Sequence, residues 1–180
     1  MICLFDDPLL HVDIKFLTEG ELTTRVETPV ILVDKDDRLT NIFQSSRHEF
    51  PYPEYQWIED RFWTWIHYGL LKIGRGEYFE AHDFLSWLRM VVLGPLFQIK
   101  YGAQPRGVRK LDFILSESDL SALKSTLASY DRKSLLEATK EIMSIYLRLA
   151  EGLYPSEIRR HSDVQNRVTA YFHHVNKLAS

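Results

Sequence analysis

The first group of residues suited to chemistry lies in the segment L-L-H-V-D-I-K-F at positions 9–16. Its alternation predicts a strand that carries His11, Asp13 and Lys15 on one face and apolar residues on the other. A strand can hold a carboxylate rigidly, as a metal site or a general base requires, so Asp13 is a candidate for both roles. An aspartate between a histidine and a lysine is more often part of an exposed ion pair, which stands as the alternative.

The second group is a pair of cations, Lys72 and Arg75, near the end of a predicted helix. Because they are three residues apart, they share a helix face and could together hold a polyphosphate. The alternative is that they complement the negative C-terminal end of a helix that Gly74 and Gly76 can end. The aromatic residues on and near this helix are interpreted as core rather than as a stacking platform: Trp57, Phe62, Trp65 and Trp87.

Other polar groups give weaker signals. Asp34-Lys35-Asp36 directly follows a predicted strand and is interpreted as a solvated turn rather than a metal site. Three histidines without a Glu or Cys at ligand spacing are interpreted as surface residues: His161, His173 and His174. The sequence contains no Gly-rich phosphate loop, no dinucleotide-binding fingerprint and no G-x-S-x-G turn, so these enzyme classes are set aside.

The composition of the 180 residues restricts the class of protein. Hydrophobic residues make up 45% and charged residues 26%, which suits one compact domain or a small sheet fragment attached to a helical domain. The net charge of −3 and the pI near 6.2 argue against nucleic acid as a partner. The single cysteine, Cys3, favours a reducing cytoplasm. We expect neither an export signal nor a membrane span.

Periodicity then assigns the first part of the chain to a sheet. Residues 2–5 and 11–17 are predicted as two strands around the turn Asp6-Asp7-Pro8, and residues 29–33 as a third. A linker is expected over residues 40–53, because prolines and short polar residues interrupt helical periodicity there.

From position 54 onwards, apolar residues at i, i+3 and i+4 predict helices. The expected bounds are residues 54–73, 77–92 with a kinked continuation past Gly94-Pro95, 116–129, 133–152 and 156–178, with a loop over 102–107. The sequence therefore predicts an α+β fold. A small antiparallel or mixed sheet fragment occupies residues 1–50, and a mostly helical bundle of about five helices occupies residues 51–180.

Three stretches, in this order and at this separation, resemble the nucleotidyltransferase superfamily, in particular bacterial kanamycin and related aminoglycoside nucleotidyltransferases. They are L-L-H-V-D-I-K-F, R-V-E-x-P-V-I-L at positions 25–32, and W-I-E-D-R-F-W-x-W-I-H-Y-x-x-x-K-I-G-R-G-E-x-F-E-A at positions 57–81. The resemblance implies that residues 1–50 are a remnant of the catalytic sheet. It also implies that residues 51–180 are a C-terminal helical domain that binds the acceptor.

The activity implied by the resemblance is magnesium-dependent transfer of a nucleotidyl group from ATP or another NTP to a hydroxyl of a small, aminoglycoside-like acceptor. By position, Asp13 matches an acid that binds the metal and accepts the hydroxyl proton. Lys72 resembles the lysine that approaches the triphosphate, and Arg75 supports it. Acidic residues of the helical domain would suit a cationic acceptor: Glu59, Asp60 and Glu77.

The chain also departs from the family pattern. It has no Gly-Ser pair to hold the nucleotide phosphates, and no acid-x-acid motif precedes Asp13. Tyr68 stands where some of these enzymes carry a catalytic glutamate, one turn before the lysine. Because a single carboxylate holds magnesium only loosely, this polypeptide alone is predicted to be incomplete or inactive, without tight binding of Mg²⁺ or ATP.

Two alternatives accompany this hypothesis. The first is a non-catalytic helical interaction module that forms a homodimer or pairs with a separate nucleotidyltransferase chain, since an unpaired sheet edge recruits partners. The second is an incorrectly started reading frame, in which case the missing motifs would be encoded upstream of Met1.

Overall fold

The computed structural model describes residues 1–177 of the chain. Contacts between backbone positions divide the chain into two compact units, Met1–Pro51 and Tyr52–Ser180. The first unit contains a two-stranded antiparallel sheet and the second a bundle of helices. The chain therefore has the α+β class that its sequence predicts.

The sheet of the first unit consists of β1, Ile2–Phe5, and β2, Leu10–Asp13. The two strands pair in the antiparallel register that places Cys3 opposite Val12. A turn of two acids and a proline joins them, as the turn preferences of these residues favour. The strand predicted over residues 11–17 is thus confirmed in position but is shorter than expected.

The third strand predicted over residues 29–33 does not form. Val30, Leu32 and Val33 are 85%, 90% and 72% exposed, and no segment within residues 1–177 pairs with them. A β-branched sequence fits a half-buried sheet surface but does not by itself provide the neighbouring strand. The regular element that follows β2 along the chain is instead the short helix α1, Glu19–Leu22.

The predicted linker over residues 40–53 begins inside a helix, α2, Arg38–Ser45. The carboxylate of Asp34 explains where this helix starts, because it accepts hydrogen bonds from the backbone N–H groups of Leu39 and Thr40, both at 2.9 Å. These donors have no partner within the helix itself. The bond from Leu39 is the main reason that the pKa of Asp34 lies below its usual value.

The first unit lacks a buried core. None of its residues, all of which the structure describes, is buried. The strand face predicted to be core carries Val12, which is half-buried, and Ile14 and Phe16, which are 36% and 80% exposed. The alternation of the strand is therefore as expected, but its apolar face is open.

The second unit is built from helices that follow the apolar periodicity. The longest are α3, Tyr55–Arg75, and α8, Arg132–Leu153. α3 ends where Gly76 adopts a φ of 79°, a left-handed conformation that glycine takes without strain. The remaining helices are α4, Tyr78–Leu88; α5, Gly94–Lys100; α6, Leu111–Ile114; α7, Glu117–Lys124; and α9, Ser162–Lys177.

A π-helical segment, Arg89–Leu93, joins α4 directly to α5. Pro95 lies in the first turn of α5, a position at which proline is tolerated. The wider π turn before it lets the helical path continue. Gly94 is needed at this junction, because an added Cβ would lie 2.3 Å from the backbone oxygen of Gly107.

Two helices are shorter than the sequence predicts. The helix expected over residues 116–129 is limited to α7, and the one expected over residues 156–178 is limited to α9. In the second case the backbone N–H groups of Arg159 and His161 donate to side chains of α3, so this segment is tied to another helix. Leu178 lies outside the described residues.

The core of the second unit lies mainly between α3, α4, α5, α8 and α9. Phe62 and Tyr146 stack within it, with ring centroids 3.5 Å apart. Of the four aromatic residues predicted as core, Phe62 is fully buried, Trp65 and Trp87 are half-buried, and Trp57 is 39% exposed. No helix within residues 1–177 is long and apolar enough to cross a membrane.

The close approach of Gly94 and Gly107 gives a stability prediction. Gly94→Ala should lower the free energy of unfolding by about 2 kcal/mol, because the new methyl group must push two backbone segments apart. Urea unfolding followed by circular dichroism measures this change. Gly152→Ala is the matched control: Gly152 is also helical, has nothing within 4 Å of an added Cβ, and should be neutral or stabilising. Equal effects of the two substitutions would contradict the assignment.

Candidate functional site

Charged residues gather where α3 ends and α4 begins. We name this group the terminal cluster: Tyr68, Lys72, Arg75, Glu77 and Glu80. The left-handed turn at Gly76 reverses the chain, which brings the first turn of α4 back to the last two turns of α3. Three residues that the sequence singled out, Lys72, Arg75 and Glu77, are thus brought together.

Lys72 lies at the centre of the terminal cluster. Its Nζ is 2.8 Å from a carboxylate oxygen of Glu80 and 3.0 Å from one of Glu77, and its side chain is only 13% exposed. The hydrogen bond to Glu80, followed by the one to Glu77, raises the pKa of Lys72 above its usual value. Lys72 is therefore a firmly protonated ammonium group with two anionic partners.

Arg75 and Tyr68 complete the terminal cluster. The Arg75 guanidinium donates two hydrogen bonds to the Glu77 carboxylate, at 2.9 and 3.1 Å, and this pairing raises the pKa of Arg75. The Tyr68 hydroxyl donates to Glu80, while the Lys72 ammonium lies 4.9 Å from the centre of the Tyr68 ring. Each carboxylate therefore has both a cation and a second donor.

The pKa values of both carboxyl groups lie below their usual value. The hydrogen bond from Arg75 lowers the pKa of Glu77, and the hydrogen bond from Lys72 lowers the pKa of Glu80. Two cations and two anions balance, so the terminal cluster has no excess positive charge. A phosphate that approached Lys72 or Arg75 would have to displace one of these carboxylates.

Glu80 is the residue of this cluster that sequence reasoning missed. Tyr68 replaces the glutamate expected one turn before the lysine, yet a carboxylate reaches Lys72 from the next helix. The spacing G-E-Y-F-E after the helix end contains the signal, because residues 77 and 80 lie one turn apart on a helix that must fold back. Which residues these two side chains contact could not be predicted without the geometry of the turn.

A row of aromatic rings leads to the terminal cluster. We name it the aromatic wall: Trp57, Trp65, Trp87, Phe84 and Tyr68, in spatial order. Successive ring centroids are 5.3, 4.8, 5.6 and 5.0 Å apart, distances typical of favourable aromatic pairs. Its end members, Trp57 and Tyr68, are each 39% exposed, and the Arg61 guanidinium lies 4.7 Å from the Trp57 ring centre.

A second polar group surrounds Glu59, the first acidic residue predicted to bind an acceptor. Its side chain is 1% exposed and pairs with the Arg160 Nε at 3.0 Å. The Tyr146 hydroxyl donates to the same carboxylate at 2.6 Å, and the backbone N–H of His161 donates at 3.0 Å. We name this the Glu59 network. Its carboxylate is fully engaged within the protein, since a buried charge requires such partners.

The hydroxyl groups near Glu59 remain protonated. Burial is the main cause that raises the pKa of Tyr146, and it raises the pKa of Tyr154 to about 12. The Tyr154 hydroxyl lies 3.5 Å from that of Tyr146. Tyr146 therefore acts as a hydrogen-bond donor to Glu59 over the whole physiological pH range.

Asp60, the neighbouring predicted acceptor residue, is more accessible. Its side chain is 44% exposed, and a carboxylate oxygen lies 2.8 Å from His161 Nε2 and accepts a hydrogen bond from Gln56 at 2.7 Å. The hydrogen bond with His161 is the main cause that lowers the pKa of Asp60. His161 was predicted to be a surface residue, but it is half-buried and links Asp60 to the segment before α9.

A small cavity adjoins these residues. Its volume is about 140 Å³, and it is lined by Glu59, Asp60, Trp63, Thr64, His161 and Val164. The indole nitrogen of Trp63 is buried without a hydrogen-bond partner. This cavity is too small for an aminoglycoside, since drug-sized ligands occupy roughly 300–1,000 Å³.

Asp13, the predicted metal ligand, lies at the end of β2 in the first unit. It is 62% exposed, and its carboxylate is 3.1 Å from His11 Nε2. Within residues 1–177, no group of three or more His, Cys, Asp or Glu side chains is placed to hold a metal ion. The residues of the described chain therefore do not fit the two-magnesium site that the resemblance implies.

No protein-family model matches the chain, and no curated protein is significantly similar to it.

The Glu59 network gives a second stability prediction. Glu59→Ala should lower the free energy of unfolding by about 3 kcal/mol, because it leaves the Arg160 cation and two hydrogen-bond donors without their buried acceptor. Chemical unfolding followed by circular dichroism measures the loss.

The matched control is Glu137→Ala, which also removes a glutamate from a long helix. Glu137 is 67% exposed and lies 3.9 Å from Lys133, a surface pair worth at most about 1 kcal/mol. If Glu59→Ala were no more harmful than this control, the Glu59 carboxylate would not be holding the helices together.

Proposed function

We propose that the chain is a nucleotidyltransferase-type protein whose helical unit binds the acceptor, a small cationic amino sugar. The reaction class is transfer of a nucleotidyl group from ATP or another NTP to an acceptor hydroxyl. The chain by itself does not catalyse the transfer, because it carries Asp13 without a phosphate cradle or further metal-binding acids. The resemblance described above supplies the reaction class, and the helical unit supplies the features of the acceptor site.

The terminal cluster, adjoining the aromatic wall, is the observation that carries this proposal. Glu77, Glu80 and Arg75 are 40%, 47% and 53% exposed, whereas Lys72 is 13% exposed, so a ligand can reach both carboxylates and the Arg75 guanidinium before it reaches Lys72. Ammonium groups of an amino sugar match these carboxylates. The apolar face of a sugar ring and a nearby ammonium group match exposed aromatic rings such as Tyr68.

The proposal changes the roles assigned to individual residues. Glu77 keeps its predicted role and Glu80 joins it as a contact for the acceptor. Lys72 and Arg75 hold these two carboxylates in place. Either cation can bind a triphosphate instead, once an ammonium group of the acceptor pairs with its carboxylate. Asp60 offers a further exposed anion, whereas Glu59 is buried and pairs only with groups inside the helical unit.

Acceptor binding can be tested with kanamycin by isothermal titration calorimetry. Glu80→Gln should weaken binding about tenfold, because it removes one anion while preserving the shape of the side chain; this corresponds to ~1.4 kcal/mol. Asp83→Asn, an exposed residue of α4 outside the cluster, should have little effect. Equal affinities for all three proteins, or no binding by the unaltered chain, would refute the acceptor site.

The lowered pKa values of Glu77 and Glu80 also fix the pH dependence of this binding. Because a lowered carboxyl pKa keeps the group ionised below its ordinary range, affinity should persist as the pH falls from 7 to about 5. It should be lost only when the pH falls through the lowered pKa values.

Catalysis can be tested separately with ATP, Mg²⁺ and kanamycin. We expect no detectable transfer of AMP by this chain alone, measured by mass spectrometry of the acceptor. Transfer that disappeared in Asp13→Ala would overturn this expectation, since it would show that the single carboxylate suffices.

A specific observation favours a second candidate function, that of an interaction module. The first unit has no buried residue, and it presents an apolar strand face and open strand edges. Such surfaces recruit partners. We propose that this unit mediates either self-association or pairing with a separate nucleotidyltransferase chain.

A further inference from the structure

The hydrogen bonds between β1 and β2 determine which backbone groups face outwards. Met1 and Ile14 exchange both backbone hydrogen bonds, at 2.7 and 2.8 Å. In an antiparallel ladder such pairs recur at every second residue, so Val12 is also directed towards β1. The N–H and C=O groups of His11 and Asp13 therefore point away from β1.

The outer edge of β2 has no neighbouring strand. The sheet contains only β1 and β2 within residues 1–177. The side chains of His11 and Asp13 at this edge are each 62% exposed. The edge thus offers unpaired donors and acceptors in an alternating pattern, which an added strand can satisfy.

The residues of β2 complement a second copy of the same strand. If two copies pair antiparallel about a twofold axis at Val12, His11 of each copy lies opposite Asp13 of the other, and Val12 lies opposite Val12. An axis at Asp13 would place two carboxylates opposite each other, and an axis at His11 would place two histidines opposite each other. A carboxylate opposite a carboxylate destabilises a strand pair, whereas an imidazole opposite a carboxylate offers a hydrogen bond or, when protonated, an opposite charge. Among the axes at His11, Val12 and Asp13, this favours the axis at Val12.

The backbone groups that point away from β1 also fit an axis at Val12. With the axis at Val12, His11 and Asp13 form the pairs that exchange hydrogen bonds, and these are the residues whose backbone groups are free. On the other face, Leu10 of each copy lies opposite Ile14 of the other. The two apolar faces therefore join into one continuous surface.

We propose that two copies of this chain associate through the outer edges of β2, forming one continuous antiparallel sheet with its twofold axis at Val12. This inference rests on the second candidate function and specifies its partner and register. The occupant is a second copy because the strand's His–Asp pattern is complementary to itself.

The first test measures the oligomeric state of the full chain by size-exclusion chromatography with light scattering. The unaltered chain should be a dimer, and His11→Asp should raise its dissociation constant at least tenfold by placing carboxylates opposite each other. The double variant His11→Asp/Asp13→His restores the complementary pattern and should restore the dimer. Lys15→Glu, whose opposite residue would be Leu9, is the control and should remain dimeric.

The second test locates the axis with a disulfide. In a Cys3→Ser background, Val12→Cys should form a covalent dimer in oxidised glutathione, because residues opposite each other at a non-hydrogen-bonded position have Cα atoms about 4.5 Å apart. Ile14→Cys is the matched control and should not cross-link, since its opposite residue is Leu10. Circular dichroism checks that both variants keep their helices.

The outcomes separate the two levels of the proposal. A monomer at every concentration would overturn both self-association and this register. A dimer in which Val12→Cys fails to cross-link, or in which Ile14→Cys cross-links as readily, would overturn the β2 register alone. A His11→Asp variant that dimerises as tightly as the unaltered chain would also overturn the register, because the residues opposite each other would then have no influence on pairing.

Discussion

The buried carboxylate of Glu59 determines the arrangement of much of the second unit. A charge with 1% exposure is stable only when partners surround it, and these partners come from distant parts of the chain. Tyr146 reaches it from α8, while Arg160 and His161 reach it from the segment before α9. The carboxylate thereby fixes the packing of α3 against α8 and sets the point at which α9 begins.

The two units differ in what stabilises them. The second unit buries apolar residues from several helices around the stack of Phe62 on Tyr146, and the Glu59 carboxylate is paired inside that packing. The first unit relies on a short ladder, one helix capped by Asp34 and hydrogen bonds from Arg25 to the end of α2. An arrangement without buried side chains is stabilised weakly, and the strand edge and the apolar face of this unit stay open.

The terminal cluster shows how neighbouring charges change the chemistry of a lysine. The spacing of Lys72 and Arg75 by itself describes a cationic helix end suited to a polyphosphate. The return of the chain at Gly76 places Glu77 and Glu80 against those cations, so the surface becomes one of paired charges. A ligand of such a surface would have to match both signs at once.

The sequence by itself determined the fold class, the first strand pair, and the long helices α3 and α8, because these depend on local turns and sustained apolar periodicity. It also placed Lys72, Arg75 and Glu77 within one helix and the turn that follows it. Only the tertiary structure decided that Glu59 is buried, that Glu80 contacts Lys72, and that residues 29–33 form no strand. Each of these depends on a partner elsewhere in the fold: 87 positions separate Glu59 from Tyr146, and a periodicity reports which face is apolar but not what covers it.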